Sequence, residues 1–374
     1  MVWKENMGLF SIVLTLAFII LGLFRKDSKF ITSVLLVLIY VLFAFEHSDG
    51  DYEGYLDMFA EITSGLDLIY EPLYVWSCML AGNYGLDFDN MRMIISLFEV
   101  VILYYVTWRY TKNTAMVLAL FFIFPATLDA ELFRFLFGMM MSILGVSFLI
   151  AYRSKKNIAL YLLCVSIGAL YHTSCWLYLI YLLLLIEDCK KLRKIVTISL
   201  VVSIGLVGTG LFFNLLQLLP IRDTVIDKYE TGSYSNMAGL IFACIKQVII
   251  LFMAIIATKK MPTSNYNNIP KIDRKNHAMI LQNKITDLNV VSFLLLIALY
   301  YSSSSQRLVH LVIYFNFIAL ANSCSLGYNK RQCWLYAISS AILFLLFLLF
   351  IEGTGTVYAF TSHFTEGYFI KLFK

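Results

Sequence analysis

The chain has 374 residues, of which 60% are hydrophobic and only 14% are charged, with a mean hydropathy of +0.78 and a formal net charge of +5. Soluble domains are about 45–50% apolar and about 25% charged, so this composition excludes a soluble multidomain protein. The small positive charge provides no basic footprint for nucleic acid. Apolar runs of about 17 to 25 residues recur along the chain, as is typical of a polytopic membrane protein.

Twelve apolar segments predict an all-α protein with about 12 transmembrane helices in a single domain, residues 1–374. The predicted spans are Gly8–Phe24, Phe30–Phe45, Met91–Thr107, Thr114–Leu128, Phe135–Ala151, Ile158–Tyr171, Thr173–Ile186, Ile195–Leu215, Met237–Ala257, Asp287–Tyr301, Leu308–Ser323 and Trp334–Ile351. A shorter apolar stretch, Pro72–Leu86, predicts a re-entrant or interfacial helix in the first large outer loop. The polar, asparagine-rich stretch 258–286 predicts a flexible cytoplasmic loop.

The distribution of basic residues predicts the orientation of these spans. Six alternate loops hold 20 of the 29 lysines and arginines, whereas the loops on the opposite side hold eight. The positive-inside rule assigns the first set to the cytoplasm and leaves both termini outside. The run 158–186 must then cross twice, because a basic loop flanks it on each side. His172, at the break between the two short helices, is therefore expected at the outer membrane interface.

An acidic, aromatic loop follows the second predicted span, over residues 46–90 of the outer face. It contains ten carboxylates and no lysine or arginine, with eight tyrosine, tryptophan and phenylalanine side chains interleaved. Carboxylates accept hydrogen bonds from sugar hydroxyls and aromatic rings stack on the apolar faces of sugars, so this composition suits a carbohydrate. The plain alternative is that acids accumulate outside and the aromatic residues form the interfacial belt.

Three arginines, Arg134, Arg222 and Arg307, stand at the outer ends of predicted spans. A guanidinium group presents a planar fork of donors that pairs with phosphate, so together they suit the pyrophosphate of a lipid. Any one of them alone is better explained by a side chain that snorkels to the water, and acidic neighbours such as Asp129 and Glu131 offer Arg134 a structural partner. His172 titrates near neutral pH and suits proton abstraction from a sugar hydroxyl, although a histidine at a helix end is often structural.

Several motifs in order resemble those of the EpsG-like, Wzy-type bacterial polysaccharide polymerases. The segment Ser48–Phe59 resembles a G-x-D-Y-x-x-Y-x-x-x-F signature that follows the second span. Elements similar to the family's later motifs are Glu71–Tyr74, Arg134 at the start of a span, Leu170–Ser174, Arg222 with Tyr229, and Ser305–Phe315. The chain departs from the pattern at Phe135, where the family often has glutamine.

The resemblance implies a GT-C-like glycosyltransferase of the bacterial plasma membrane with an extracytoplasmic active site. Its substrates would be undecaprenyl-pyrophosphate-linked oligosaccharides for capsule, exopolysaccharide or O-antigen, with a flippase and a chain-length regulator as pathway partners. The implied catalytic base is His172, or else Asp49 or Asp51, and Arg134, Arg307 and Arg222 bind the pyrophosphate. The residues assigned to the glycan are Tyr52, Tyr55, Glu71, Glu131 and Tyr229.

No organic cofactor and no metal requirement are expected, since the sequence has no phosphate-cradling glycine motif and its seven cysteines lack metal-site spacing. Membrane lipids and the lipid-linked substrates are the expected partners. One alternative is a lipid-linked oligosaccharide flippase or another transporter of polysaccharide, which would gather charge at the membrane midplane instead of at the outer rim. A membrane acyltransferase with His172 as its base is a third possibility.

Overall fold

The computed structural model describes residues 2–25, 27–45, 50–66, 70–209, 244–245, 247–252, 254–255, 274–298, 303–325 and 338. Every regular element in these ranges is helical. The α-helices are α1 (Val2–Phe24), α2 (Lys29–Ala44), α3 (Gly50–Thr63), α4 (Pro72–Asn83), α5 (Phe88–Tyr110), α6 (Thr114–Phe121), α7 (Thr127–Ala130), α8 (Phe133–Ala151), α9 (Lys155–Tyr171), α10 (Cys189–Gly208), α11 (Arg274–Ser292) and α12 (His310–Ser325). Tighter 3₁₀ segments cover Thr173–Leu185, Phe293–Ile297 and Ser303–Val309.

Four apolar helical stretches in the described part are long enough to cross a membrane: Phe88–Tyr110, Phe133–Ala151, His277–Ile297 and Arg307–Cys324. The chain is therefore a helical membrane protein. On α5 the exposed side chains include Leu97, Phe98 and Val101, which form an apolar stripe at helical spacing and suit contact with lipid. In contrast, α12 is buried on nearly all sides and is the central helix of the bundle.

Polar caps explain where several helices begin. The Ser28 hydroxyl accepts a hydrogen bond from the backbone N–H of Ile31, and the Ser154 hydroxyl accepts one from Asn157. The Asp87 carboxylate accepts the backbone N–H of Asn90 at 2.8 Å. Each of these bonds satisfies a donor that the first helical turn leaves unpaired.

Antiparallel packing of α8 and α9 depends on two facing glycines. A Cβ on Gly168 would lie 2.6 Å from the carbonyl oxygen of Gly138, so no larger side chain fits between the two backbones. The α9 helix ends at Tyr171, and the 3₁₀ segment Thr173–Leu185 returns against it. The two short helices that the charge pattern required between 158 and 186 are confirmed.

Two predictions of local structure need correction. Part of the loop expected at 258–286 is helical, because α11 begins at Arg274. His277, Leu281 and Ile285 recur one turn apart and are buried, a helical pattern that the intervening polar residues conceal. The span expected at 114–128 is interrupted at Phe124, whose φ of −162° and ψ of 134° are extended. Pro125 explains this break, since its ring clashes with the preceding turn of a helix.

The bundle has two chemically different ends. One end, here called the site end, contains Phe43, Phe88, Arg134 and His310. At this end the Arg92 guanidinium donates to the Phe43 carbonyl, and the Phe88 ring contacts Phe133, the neighbour of Arg134. At the other end, here called the basic end, the Arg109 guanidinium lies 3.4 Å from the His277 ring nitrogen. Helices α5, α8 and α12 all run from the site end to the basic end.

Candidate functional site

An ion pair between Glu71 and Arg134 joins three segments at the site end. Glu71 caps α4, and Arg134 is the second residue of α8. Arg134 Nη1 donates to Glu71 Oε2 at 2.7 Å, and each of the two side chains is 17% exposed. The second oxygen, Glu71 Oε1, accepts hydrogen bonds from the backbone N–H and the hydroxyl of Thr173, both at 3.1 Å. Glu71 therefore connects the acidic loop of residues 46–90 to α8 and to the turn after α9.

Three tyrosine rings surround the Arg134 guanidinium. Its Cζ atom lies 5.2 Å from the ring centroid of Tyr74, 5.7 Å from Tyr70 and 5.8 Å from Tyr55. Cation–π attraction at such distances contributes about 0.5–1 kcal/mol per ring at exposed sites and more where water is excluded. Arg134 Nε is buried and has no hydrogen-bond partner among the described residues. A buried unpaired donor is uncommon and is a candidate contact for a ligand.

Aromatic packing holds the acidic loop against the bundle. The Phe88 ring contacts Tyr55 at 6.0 Å and Phe133 at 5.5 Å, and Phe133 in turn contacts Tyr171. Tyr55 is only 7% exposed, so its ring serves packing as well as the arginine. The Tyr52 hydroxyl donates to Asp89 at 2.9 Å. The aromatic residues of the loop thus form a second hydrophobic core beneath the site.

His172 lies beside this ion pair, directly after the last residue of α9. Its Nδ1 atom is 2.7 Å from the Ser174 hydroxyl, and its ring lies edge-on to Phe135 at 5.6 Å. Burial lowers the pKa of His172 below the ordinary 6.5; Glu71 raises it, whereas the positive charges of Arg134 and Arg307 lower it further. His172 is therefore a neutral imidazole at pH 7, able to accept a proton.

The Glu71 carboxylate stays ionised for a related reason. Burial opposes its charge, but the Arg134 guanidinium, the Thr173 backbone N–H and His172 together lower the pKa of Glu71 below its ordinary 4.5. At neutral pH the pair thus consists of a carboxylate and a guanidinium that neutralise each other.

Arg307 belongs to the same end of the molecule. It lies in the 3₁₀ segment Ser303–Val309 that leads into α12, where its side chain is half-buried. Its charge acts on His172, which places it within electrostatic reach of the imidazole. Arg307 supplies a positive charge that the Glu71–Arg134 pair does not cancel.

The remaining predicted residues have different outcomes. Asp51 is exposed on the first turn of α3, and Glu131 is half-buried in the turn between α7 and α8. Asp49, Arg222 and Tyr229 lie outside the described residues.

The sequence did not reveal two buried polar contacts below this site. His310 Nδ1 lies 2.6 Å from Asp129 Oδ1, and both side chains are at most 1% exposed. The Arg92 guanidinium donates from Nε to the Phe43 carbonyl and from Nη2 to the Ala130 carbonyl, both at 2.8 Å. The only sequence signal was the cost of placing charged residues in apolar segments.

The described residues contain no group of three His, Cys, Asp or Glu side chains placed to hold a metal ion. What they bring together is Arg307, a second arginine, Arg134, that is paired with Glu71, and the neutral imidazole of His172. Such a set can bind an anionic leaving group and accept a proton near it.

No curated protein and no solved structure matches the chain. A family model does match, over residues 29–362, which include every described element of the site. Because this match covers most of the 374 residues, the chain belongs to the EpsG family.

Proposed function

We propose that this protein is a membrane glycosyltransferase that polymerises oligosaccharide repeat units carried on undecaprenyl pyrophosphate. Membership of the EpsG family suggests the role of a polysaccharide polymerase. The observation that carries the proposal is the convergence of Glu71, Arg134 and the His172 turn, which lie far apart in sequence, at one end of the bundle. Capsule, exopolysaccharide and O-antigen are the product classes this chemistry serves.

The charges at the two ends of the bundle support a site on the outer face of the bacterial plasma membrane. Carboxylates such as Asp57, Glu61 and Asp87 surround the site end, whereas Arg109, Lys155 and Lys190 belong to the basic end. Under the positive-inside rule the basic end faces the cytoplasm. The substrates would then be repeat units already flipped to the outer leaflet, where a flippase and a chain-length regulator would be partners.

In the proposed reaction, a hydroxyl of the new repeat unit attacks the anomeric carbon of the growing chain. The bond between this carbon and the pyrophosphate oxygen breaks, and undecaprenyl pyrophosphate departs with the electron pair. Arg134 and Arg307, with Arg222, neutralise the negative charge as it develops on the leaving group. Glu71 holds the Arg134 guanidinium in position at the site.

His172 accepts the proton of the attacking hydroxyl. Its Nδ1 atom is engaged with Ser174 Oγ, so Nε2 is the nitrogen available to the substrate. Asp49 and Asp51 are the alternative bases. Tyr52, Tyr55, Glu131 and Tyr229 are proposed to contact the sugars, together with Glu71 itself.

The direct test is incubation of the purified protein with a defined lipid-linked repeat unit, with the products separated on a gel. We expect a ladder of longer chains from the wild-type protein. The variants Arg134→Ala and Arg307→Ala should lose about 100-fold or more of the polymer, the typical effect of removing one charge-stabilising donor. Arg153→Ala, an exposed arginine at the basic end, is the matched control and should retain activity.

A single unaltered band from the wild-type protein would contradict polymerisation and favour a flippase instead. Unchanged ladders in both site-end variants, at normal protein abundance, would contradict the role given to the arginines.

A further inference from the structure

A buried hydrogen bond between Asp129 and His310 links the two segments that carry the site arginines. The donor and acceptor lie 2.6 Å apart, and the two residues are 181 positions apart in the sequence. The carboxylate and the imidazole are 0% and 1% exposed. The ring of Phe124 packs edge-on against His310 at 5.3 Å and closes the contact from one side.

Each partner is rigidly connected to one arginine. His310 follows Arg307 by three residues at the end of a 3₁₀ segment, in which residues three apart lie on the same face. Asp129 precedes Arg134 by five residues, through a turn that the Leu132 N–H closes on the Asp129 carbonyl at 3.0 Å. Leu132 is the N-cap residue of α8, and its carbonyl accepts the Leu136 N–H at 2.8 Å. A displacement of either partner is therefore transmitted to its arginine.

A pyrophosphate group imposes a fixed distance between two anionic centres. Two guanidinium groups neutralise both phosphates only if the protein holds them at the matching separation, and a misplacement of about 1 Å costs up to about 100-fold in rate. Arg134 is already held by Glu71 and its tyrosines. Arg307 lies at the start of its own helix, so its position relative to Arg134 depends on what fixes that helix.

We infer that Asp129 and His310 form a positioning pair that sets the separation of Arg134 and Arg307 for the two phosphates of a lipid diphosphate. Burial of an aspartate within an apolar bundle is costly, and an apolar pair would fill the same space at less expense. A hydrogen bond supplies what apolar packing does not, namely a single fixed distance between two defined atoms. The inference rests on the proposed polymerase function and adds two residues to it.

The pair is tested by two variants of similar size and polarity, His310→Asn and His310→Gln. Asparagine places an amide donor close to the position of the histidine Nδ1, whereas glutamine carries its donor about one bond further from the backbone. We expect His310→Asn to retain turnover within about 3-fold and His310→Gln to lose about 10- to 100-fold in kcat. KM for the lipid-linked donor should change little, because the arginines act on charge that develops in the transition state.

A double-mutant cycle with Arg307→Lys shows whether the effect passes through Arg307. Lysine keeps the charge but lacks the guanidinium fork, so its exact placement matters less. In the Arg307→Lys protein, we expect His310→Gln to lower kcat by less than about 3-fold. His277→Gln, which alters another buried histidine at the basic end, is the matched control and should leave kcat unchanged.

The outcomes separate the two proposals. Suppose that the wild-type protein forms a ladder but His310→Gln lowers kcat by the same factor with and without Arg307→Lys. The positioning role is then wrong, and the polymerase function stands. Equal activity of the asparagine and glutamine variants would overturn the positioning role in the same way. If the wild-type protein forms no ladder, both proposals fail.

Discussion

At the scale of single residues, the two site arginines differ in their surroundings: Arg134 is paired with Glu71, whereas Arg307 adds a positive charge that this pair does not offset. The Glu71 carboxylate offsets the charge of Arg134, which allows a guanidinium to lie among tyrosine rings with 17% of its side chain exposed. Arg307 adds a positive charge within electrostatic reach of the same turn. An approaching diphosphate would meet a net positive site whose strongest hydrogen-bond donors are already oriented, which is the arrangement that favours an anionic leaving group.

The environment of His172 gives a prediction for the dependence of activity on pH. A general base must be neutral, and the pKa of His172 is lowered by burial and by the two arginines. The rate is therefore lost as pH falls through this lowered pKa, not through the ordinary 6.5. We expect kcat/KM of the wild-type protein to stay level from about pH 8 to about pH 6 and to decline only below that range.

The variant Arg307→Gln serves as a control for this pH profile. It removes one of the positive charges that lower the pKa of His172, so the decline in its residual activity should move to higher pH. A wild-type midpoint at or above 6.5 would contradict the role of His172 as a base with a lowered pKa.

Sequence motifs name candidate residues for the site, but they do not indicate which of these residues are in contact. Glu71, Arg134 and His172 were all identified, and the structure brings them together. The acidic neighbours considered for Arg134 were Asp129 and Glu131, whereas its observed partner is Glu71, 63 residues away. Asp129 pairs with His310 instead. Contacts between distant segments depend on helix packing, and the pattern of a single sequence does not contain that information.

At the scale of helices, apolar runs were sufficient to locate most elements, and the errors have local causes. Helix α11 extends from Arg274 because buried amides substitute for apolar side chains: Gln282 donates to the Ala319 carbonyl at 3.0 Å, and the Asn289 and Asn316 amides donate to each other. A hydropathy pattern counts residues such as Gln282 as polar and therefore begins the span too late, at Asp287. Satisfied buried amides are compatible with a bundle interior.

Close contact between α8 and α9 gives a prediction at this scale, because α8 carries Arg134 and α9 ends next to His172. A Cβ at Gly168 would meet the Gly138 carbonyl at 2.6 Å, and a backbone atom cannot move aside cheaply. We expect Gly168→Ala to destabilise the protein by about 1–3 kcal/mol and to reduce turnover by separating the two site residues. Thermal unfolding in detergent and the polymer ladder measure the two effects.

Gly205, at an exposed position of α10, is the matched control. A Cβ at this position meets nothing within 4 Å, so Gly205→Ala should be neutral, or stabilising by up to about 1 kcal/mol because alanine favours helix. Equal behaviour of the two alanine variants would show that the glycine contact does not hold α8 and α9 together.

At the scale of the whole molecule, the two ends of the bundle differ in charge and in chemistry. Loop charges predicted which segments share an end, and contacts such as Arg109 with His277 and Arg153 with Glu187 agree with that grouping. Which end faces the cytoplasm rests on the positive-inside rule alone. The site and the lipid-linked repeat unit must lie on the same side of the membrane for polymerisation. This orientation therefore decides whether the proposed reaction is feasible.

A native cysteine makes the orientation measurable. Cys189 is exposed at the start of α10, at the basic end, whereas Cys78, Cys164 and Cys175 are buried. A membrane-impermeant maleimide applied to intact cells should not modify Cys189, and should modify it once the membrane is permeabilised. The reverse is expected of the variant Asp57→Cys, which places a thiol on an exposed position of α3 at the site end. This thiol should react in intact cells, with labelled residues identified by mass spectrometry.

Cys189→Ser, combined with Asp57→Cys, is the control. It removes the maleimide labelling assigned to the basic end and leaves the labelling at the site end. Labelling of Cys189 from outside, with protection of the thiol introduced by Asp57→Cys, would place Arg134, His172 and Arg307 on the cytoplasmic side. Repeat units presented at the outer leaflet would then be out of reach of all three side chains. The polymerase mechanism would then fail, since these side chains catalyse the transfer only on the face where their substrate is presented.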